Sequence, residues 1–113
     1  MDCLFCKIAA REIPAEIAFE NERVVAFADI NPQAPTHLQI IPREHIASTL
    51  EVEPARRELI GELVEVAADL ARERGISDEG YRLVFNTGGA AGQSVYHIHL
   101  HLLGGRSFAW PPG

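Results

Sequence analysis

The chain has 113 residues, 47% of them hydrophobic, and a formal net charge of -6. That is material for a single domain, 1-113, around one apolar core, and an acidic balance with no basic run beyond Arg56-Arg57 and the spaced pair Arg72 and Arg74 argues against a nucleic-acid groove. No apolar stretch approaches the roughly 20 residues of a membrane helix, Met1-Asp2-Cys3 carries no basic-then-apolar leader, and two cysteines are too few for a disulfide framework; a cytoplasmic protein without membrane contact is expected.

Cys3 to Ala10 reads as a short helix with Leu4, Phe5 and Ile8 on one side, ended before Pro14. Ile17 to Glu20 and Val24 to Ala28 read as strands joined by the turn Glu20-Asn21-Glu22-Arg23. Asn31-Pro32-Gln33-Ala34-Pro35 must be a loop, because neither proline suits a ladder. Thr36 to Ile41 is the next strand, closed by Pro42. Glu53 to Arg74 is the long helix, with Pro54 in its first turn and Gly75 as its stop. Leu59, Leu63, Val66, Ala67 and Leu70 form its buried stripe, widened by Ile60 and Val64. Tyr81 to Asn86 is a strand, followed by the glycine-rich loop Thr87 to Gly92. The order is helix, three strands, helix, two strands. Short connections make it an α+β domain with a mainly antiparallel sheet.

The last of those strands, Gln93 to Leu103, is the unusual one. His97, His99 and His101 occupy alternate positions, with Ile98, Leu100 and Leu102 between and after them. On a strand the three imidazoles share one face and the aliphatics fill the other. Folding alone gives no reason to pack three imidazoles together, since each needs a partner and all three cannot be charged. Two uses remain: a metal site, or a nucleophilic histidine with helpers.

The neighbourhood favours chemistry at phosphorus. The glycine-rich loop lacks the Gly-Lys-Ser/Thr ending of a P-loop and leads into a strand rather than a helix. Backbone N–H groups freed by Gly92, with the Ser94 hydroxyl and the Asn86 amide, can hold an anion with neutral donors. Asp29, at a strand end, is either a turn former or an acceptor for two adjacent hydroxyls such as those of a ribose. His37 either orients another histidine or is a surface residue. Cys3-x-x-Cys6 is half of a zinc site, which His45 and His97 could complete; four protein ligands would make the zinc structural.

His97-Ile98-His99-Leu100-His101-Leu102-Leu103 resembles the histidine triad motif. Asp29 to His37, Ile41-Pro42, Ala91 to Tyr96, Leu103 to Arg106 and Trp110 to Gly113 are similar to the Hint branch of that family. The resemblance spans nearly the whole chain. It implies a hydrolase of purine nucleoside phosphoramidates, such as adenosine 5'-monophosphoramidate, with aminoacyl adenylates as a further substrate class. It implies His99 as the nucleophile that takes up the nucleoside monophosphate, His101 at the phosphate and leaving group, and His37 as their helper. Asn86, Gly92 and Ser94 would hold the phosphate, and Asp29 the ribose. Leu4, Phe5, Ile8, Phe27 and Ile30 would line the base pocket. It further implies a homodimer with a joined ten-stranded sheet, Trp110 near the partner's site, and a structural zinc on Cys3, Cys6, His45 and His97 that the chemistry does not require.

Gln39 departs from the resemblance, standing where relatives usually carry an aliphatic residue, on the face of His37. Two rival functions are a dinucleoside polyphosphate hydrolase of the Fhit type and a non-catalytic nucleotide-binding or scaffold protein.

Overall fold

The computed structural model describes residues 2–113. The elements are α1 (Leu4–Ala9), β1 (Ile17–Glu20), β2 (Val24–Ala28), β3 (Thr36–Pro42), α2 (Arg57–Glu73), β4 (Tyr81–Phe85) and β5 (Leu100–Gly104), with 3-10 turns at Thr49–Glu51, Pro54–Arg56 and Gly89–Ala91. All pairings are antiparallel, in the order β1-β2-β3-β5-β4. The expected α+β class and element order are what the chain adopts. Local chemistry explains the corners. Asn21 Oδ1 accepts the N–H groups of Arg23 and Val24 at 2.9 and 2.8 Å, closing the β1–β2 turn. Gly75, at φ 73°, ends α2 in the left-handed conformation that glycine adopts without strain.

The sheet separates two apolar layers by strand alternation. Val24, Ala26, Leu38, Ile40, Leu100 and Leu102 face α2 and pack on Leu63, Val66, Ala67, Leu70 and Ala71. Val25, Phe27 and Ile41 face the other way and pack on Phe5, Ile8 and Ala9 of α1. His37 and Gln39, alternating with Leu38 and Ile40, therefore belong to the α1 side. β3 and β5 carry the site between them, with Gln39 opposite His101 and His37 opposite Leu103.

Several boundaries differ from the sequence expectation. α2 begins at Arg57 rather than Glu53, because Pro54 opens a separate 3-10 turn whose first residue needs no N–H partner. Val64 is 42% exposed and does not widen the buried stripe, whereas Ala71 joins it. Pro42 is the last residue of β3 rather than its stop, paired with Val24. Gln93 to Leu103 is not one strand. Only β5 pairs in the ladder, so His101 is the sole triad histidine within it. The approach to β5 is held elsewhere: the Ile98 N–H donates to the Ile46 carbonyl at 2.6 Å. Among the described residues no helix is long and apolar enough to cross a membrane.

Gly104 sits where β5 passes between Thr36 and Tyr81 under Ile76. A Cβ there would lie 3.0 Å from Ile76 Cβ and 3.2 Å from its Cγ1. Gly104→Ala is expected to cost about 1–3 kcal/mol by overpacking, read as a lower urea midpoint at an unchanged m-value.

Candidate active site

Two side-chain clusters lie on the α1 face of the sheet. The first holds the cysteine pair. Cys3 caps α1, its Sγ accepting the Cys6 N–H at 3.4 Å, so the helix start itself brings the two thiols together. Cys3 Sγ and Cys6 Sγ lie 3.4 and 3.5 Å from His97 Nδ1, and Cys6 Sγ lies 3.5 Å from His45 Nδ1. One ligand atom from each of the four residues falls within 4.8 Å of the others. A tetrahedral zinc with Zn–S of about 2.3 Å and Zn–N of about 2.0–2.1 Å puts sulfur and nitrogen about 3.6 Å apart. The spacings match that edge. His97 is fully buried, and its Nε2–H donates to the Pro42 carbonyl at 2.7 Å. That bond leaves Nδ1 as the bare nitrogen, turned toward the thiols as a metal ligand would be. Burial and the neighbouring Cys3 push the Cys6 thiol up from its ordinary value. A pair of thiolates in this position needs a cation. The residues fit zinc.

The second cluster borders a cleft of about 350 Å³. Its tautomers follow from partners that can play only one role. The His97 carbonyl can only accept, so His99 donates Nδ1–H to it at 2.8 Å. Neutral His99 then carries its lone pair on Nε2. Phe5 stacks edge-on against the same ring, with centroids 5.1 Å apart at 87°. For His37, the Gln33 N–H donates to Nδ1 at 3.0 Å, so the neutral ring carries its proton on Nε2. That Nε2 is 2.9 Å from His101 Nδ1 and 3.3 Å from Asp29 Oδ2. Donation to His101 Nδ1 leaves His101 with a proton on Nε2. One imidazole thus presents a lone pair and its neighbour, at a ring separation of 5.0 Å, presents a donor.

Burial favours the neutral form of His37 and His101. It pushes His101 down to about 4, with His99 and His37 adding repulsion to a proton and Asp29 opposing it only weakly. Burial likewise lowers His37, again against the pull of Asp29.

The remaining expected residues divide. Leu4, Phe5, Asp29, Ile30, Asn86, Gly92 and Ser94 line the cleft, with Ile30 97% exposed at its rim. Ile8 and Phe27 do not. They are buried in the α1 core, where Phe27 supports the Phe5 ring at a centroid distance of 5.3 Å. Neither the helix periodicity around Ile8 nor the strand alternation around Phe27 could separate lining from support on the same face. Asn31, Gln33, Gln39 and Val95 also line the cleft. Gln93 braces the glycine-rich loop from behind: its Oε1 accepts the Gly88 N–H, and its Nε2 donates to the Ala47 and Val95 carbonyls. Asn31, Gln33, Gln93 and Val95 carry no sequence signal beyond their position in loops flanking the histidines, whereas Gln39 lies inside β3 on the face of His37. Trp110, at 84% exposed, stands outside the cleft. A larger open depression of about 740 Å³ between Arg23 and the start of α2 holds paired charges, such as Arg23 with Glu62 at 2.6 Å, and none of the histidines.

A pair of imidazoles of opposite donor sense, at a cleft also lined by Asn86, Gly92 and Ser94, defines a small α+β domain equipped for nucleophilic and proton-transfer chemistry. The chain belongs to the histidine triad (HIT) family. A family model described as scavenger mRNA decapping enzyme C-term binding matches residues 2–108. The chain is 48% identical over 105 residues to a purine nucleoside phosphoramidase of Escherichia coli (strain K12), covering 93% of this chain and 88% of that protein. It is 49% identical over 112 residues to a 14 kDa zinc-binding protein of Zea mays, covering 97% and 87%. The crystal structure of a HIT family hydrolase from Legionella pneumophila Philadelphia 1 superposes with a TM-score of 0.98 at 56% identity, covering 99% of this chain and 100% of that one.

The lowered histidines link stability to pH. Below the ordinary histidine value of 6.5 the unfolded chain binds protons that folded His101 refuses until about 4. This contribution is intact above that interval and is lost as pH falls through it. His101→Gln is therefore expected to lose less stability than the parent across the same interval, measured by urea midpoints.

Proposed function

We propose that the protein hydrolyses the P–N bond of purine nucleoside phosphoramidates. The observation that carries this reading is the pairing of a bare His99 Nε2 with a protonated His101 Nε2 at one cleft. In the first step His99 Nε2 attacks phosphorus while the P–N bond breaks. The amine leaves with the proton from His101 Nε2. In the second, water attacks the nucleotidyl-His99, giving its proton back to His101 and releasing the nucleoside monophosphate. Asn86 and Ser94 supply neutral donors to the phosphoryl oxygens where charge accumulates, beside Gly92, which lines the cleft but gives its own N–H to the Gly89 carbonyl at 3.0 Å rather than leaving it free. Asp29 accepts from the ribose hydroxyls; each of its oxygens already takes one donor, and a carboxylate oxygen has a second lone pair. Leu4, Phe5 and Ile30 offer apolar surface to the base. The activity of the E. coli relative supports the P–N assignment, and aminoacyl adenylates fit the same attack with a carboxylate leaving group.

The decisive assay is turnover of an adenosine phosphoramidate carrying a fluorogenic amine. His99→Ala is expected to lower kcat/KM by on the order of 10³-fold or more, and His101→Ala by about 10²–10⁴-fold. Full turnover in His99→Ala would remove it as nucleophile. Faster cleavage of a dinucleoside polyphosphate would move the protein to P–O–P substrates. Tight binding of a nucleoside monophosphate with no turnover would make it a binding module.

The same reading includes a structural zinc held by Cys3, Cys6, His45 and His97, a set of soft thiolates and imidazoles suited to that ion. Its contribution is to tie α1 to the chain leading into β5. The zinc-binding relative from maize supports it. The reading also includes a homodimer: β4 is an edge strand, and a second copy along it would extend the sheet to ten strands and bring Trp110 near the partner's site. Native mass spectrometry is expected to find a dimer with one zinc per chain, and no zinc after Cys3→Ser with Cys6→Ser. A metal-free monomer from the parent sequence would contradict both.

A further inference from the structure

Gln39 is a buried polar residue of the cleft whose side chain the proposed reaction leaves unused. It sits in the middle of β3, opposite Phe27 on β2 and His101 on β5. It is 8% exposed. Its Nε2–H donates to Asp29 Oδ2 at 2.8 Å. Its Oε1 is buried with no partner, alone among the buried side-chain polar atoms of the described residues. The amide cannot turn over to relieve this. An oxygen facing the Asp29 carboxylate would set acceptor against acceptor, so satisfying Asp29 orphans Oε1. For folding, an aliphatic side chain of similar volume would fill the position and bury no unmet carbonyl. The amide therefore has to be explained by its donor.

That donor meets a contested acceptor. Asp29 Oδ2 lies 3.3 Å from His37 Nε2 and 4.0 Å from His101 Nδ1, while the two ring nitrogens are 2.9 Å apart. His37 has one Nε2 proton, because its Nδ1 is occupied by the Gln33 N–H. The proton can go to the neutral His101 ring or to the carboxylate. A carboxylate is the stronger acceptor. We infer that Gln39 is a positioning residue: by donating to Asp29 Oδ2 it leaves the His37 Nε2–H for His101 Nδ1 and so keeps the His101 proton on Nε2, facing the cleft. The other charged or titratable groups facing His101 are His99, His37 and Asp29. None of these supplies a donor that could replace Gln39 on Oδ2 without taking it from the relay. That the held proton matters for turnover rests on the proposed P–N hydrolysis; the hydrogen-bond arrangement does not.

The test is carried out on the full chain with its histidines labelled with 15N, without substrate, since imidazole 15N shifts separate a protonated ring nitrogen from a bare one. In the parent protein His101 is expected to show a bare Nδ1 and a protonated Nε2. Gln39→Leu and Gln39→Met, which keep volume and remove the donor, are expected to shift His101 to mixed tautomers or to a proton on Nδ1. On a phosphoramidate they are expected to lower kcat by about tenfold, short of the loss of the proton donor itself, with KM little changed. Parent-like His101 shifts in either folded variant would overturn the inference. Altered tautomers with unchanged kcat would overturn its catalytic half. Absence of turnover in the parent would overturn the proposed reaction, while the 15N spectra would still decide the role of Gln39.

Discussion

The register between β3 and β5 is the constraint on which the site depends. Gln39 faces His101 and His37 faces Leu103, and the residues between them, Leu38 and Ile40, belong to the core under α2. A slip of one residue would turn His37 and Gln39 into that core and expose two large aliphatics in their place. Burial of the apolar set against α2 therefore positions the polar set on the opposite face. The site needs no separate device to align its two strands; the alignment follows from which side chains avoid water.

On that face, low polarity and hydrogen-bond direction together determine what each imidazole can do. Burial favours the neutral form of His37 and His101. A neutral imidazole has one donor and one acceptor, so a single committed partner decides the free nitrogen. For His99 the partner is the His97 carbonyl; for His37 it is the Gln33 N–H. The two choices have opposite sense. Carried through to His101, they leave a lone pair and a proton donor side by side. The polar groups of Asn86 and Ser94 that line the cleft are uncharged, so in a protein of net charge -6 the cleft carries neutral donors and no basic patch.

The two clusters meet in a few residues of backbone. His97 turns its side chain toward Cys3 and Cys6 and its carbonyl toward His99. Phe5, between the two cysteines on α1, stacks on both His97 and His99, with centroids 6.0 and 5.1 Å away. Whatever orders the cysteine cluster thus also orders the ring that faces the cleft. The N-cap bond of Cys3, the packing of Phe5 and the His97 carbonyl are three links of one mechanical unit. The short α1, with one thiol as its cap, is part of the site's scaffold.

Much of this was legible in the residues alone. Alternation of histidine with aliphatics in 97–103, proline and glycine punctuation, and the apolar stripe of 59–70 are local signals, and local steric and hydrophobic preferences made the class and the element order readable and marked the three histidines as unusual. Tertiary structure decided what local preference cannot. Gln93 to Ile98 is held to Ile46 and Ala47, distant in sequence, so the triad straddles a strand start instead of filling a strand. Ile8 and Phe27 share a face with Phe5, yet only the packing of α1 on β2 determined that they lie beneath the cleft. The tautomers of His37, His99 and His101, and the partner of Gln39, depend on single hydrogen bonds between separated segments. A sequence names such donors and acceptors, but only the folded chain brings them within reach of one another.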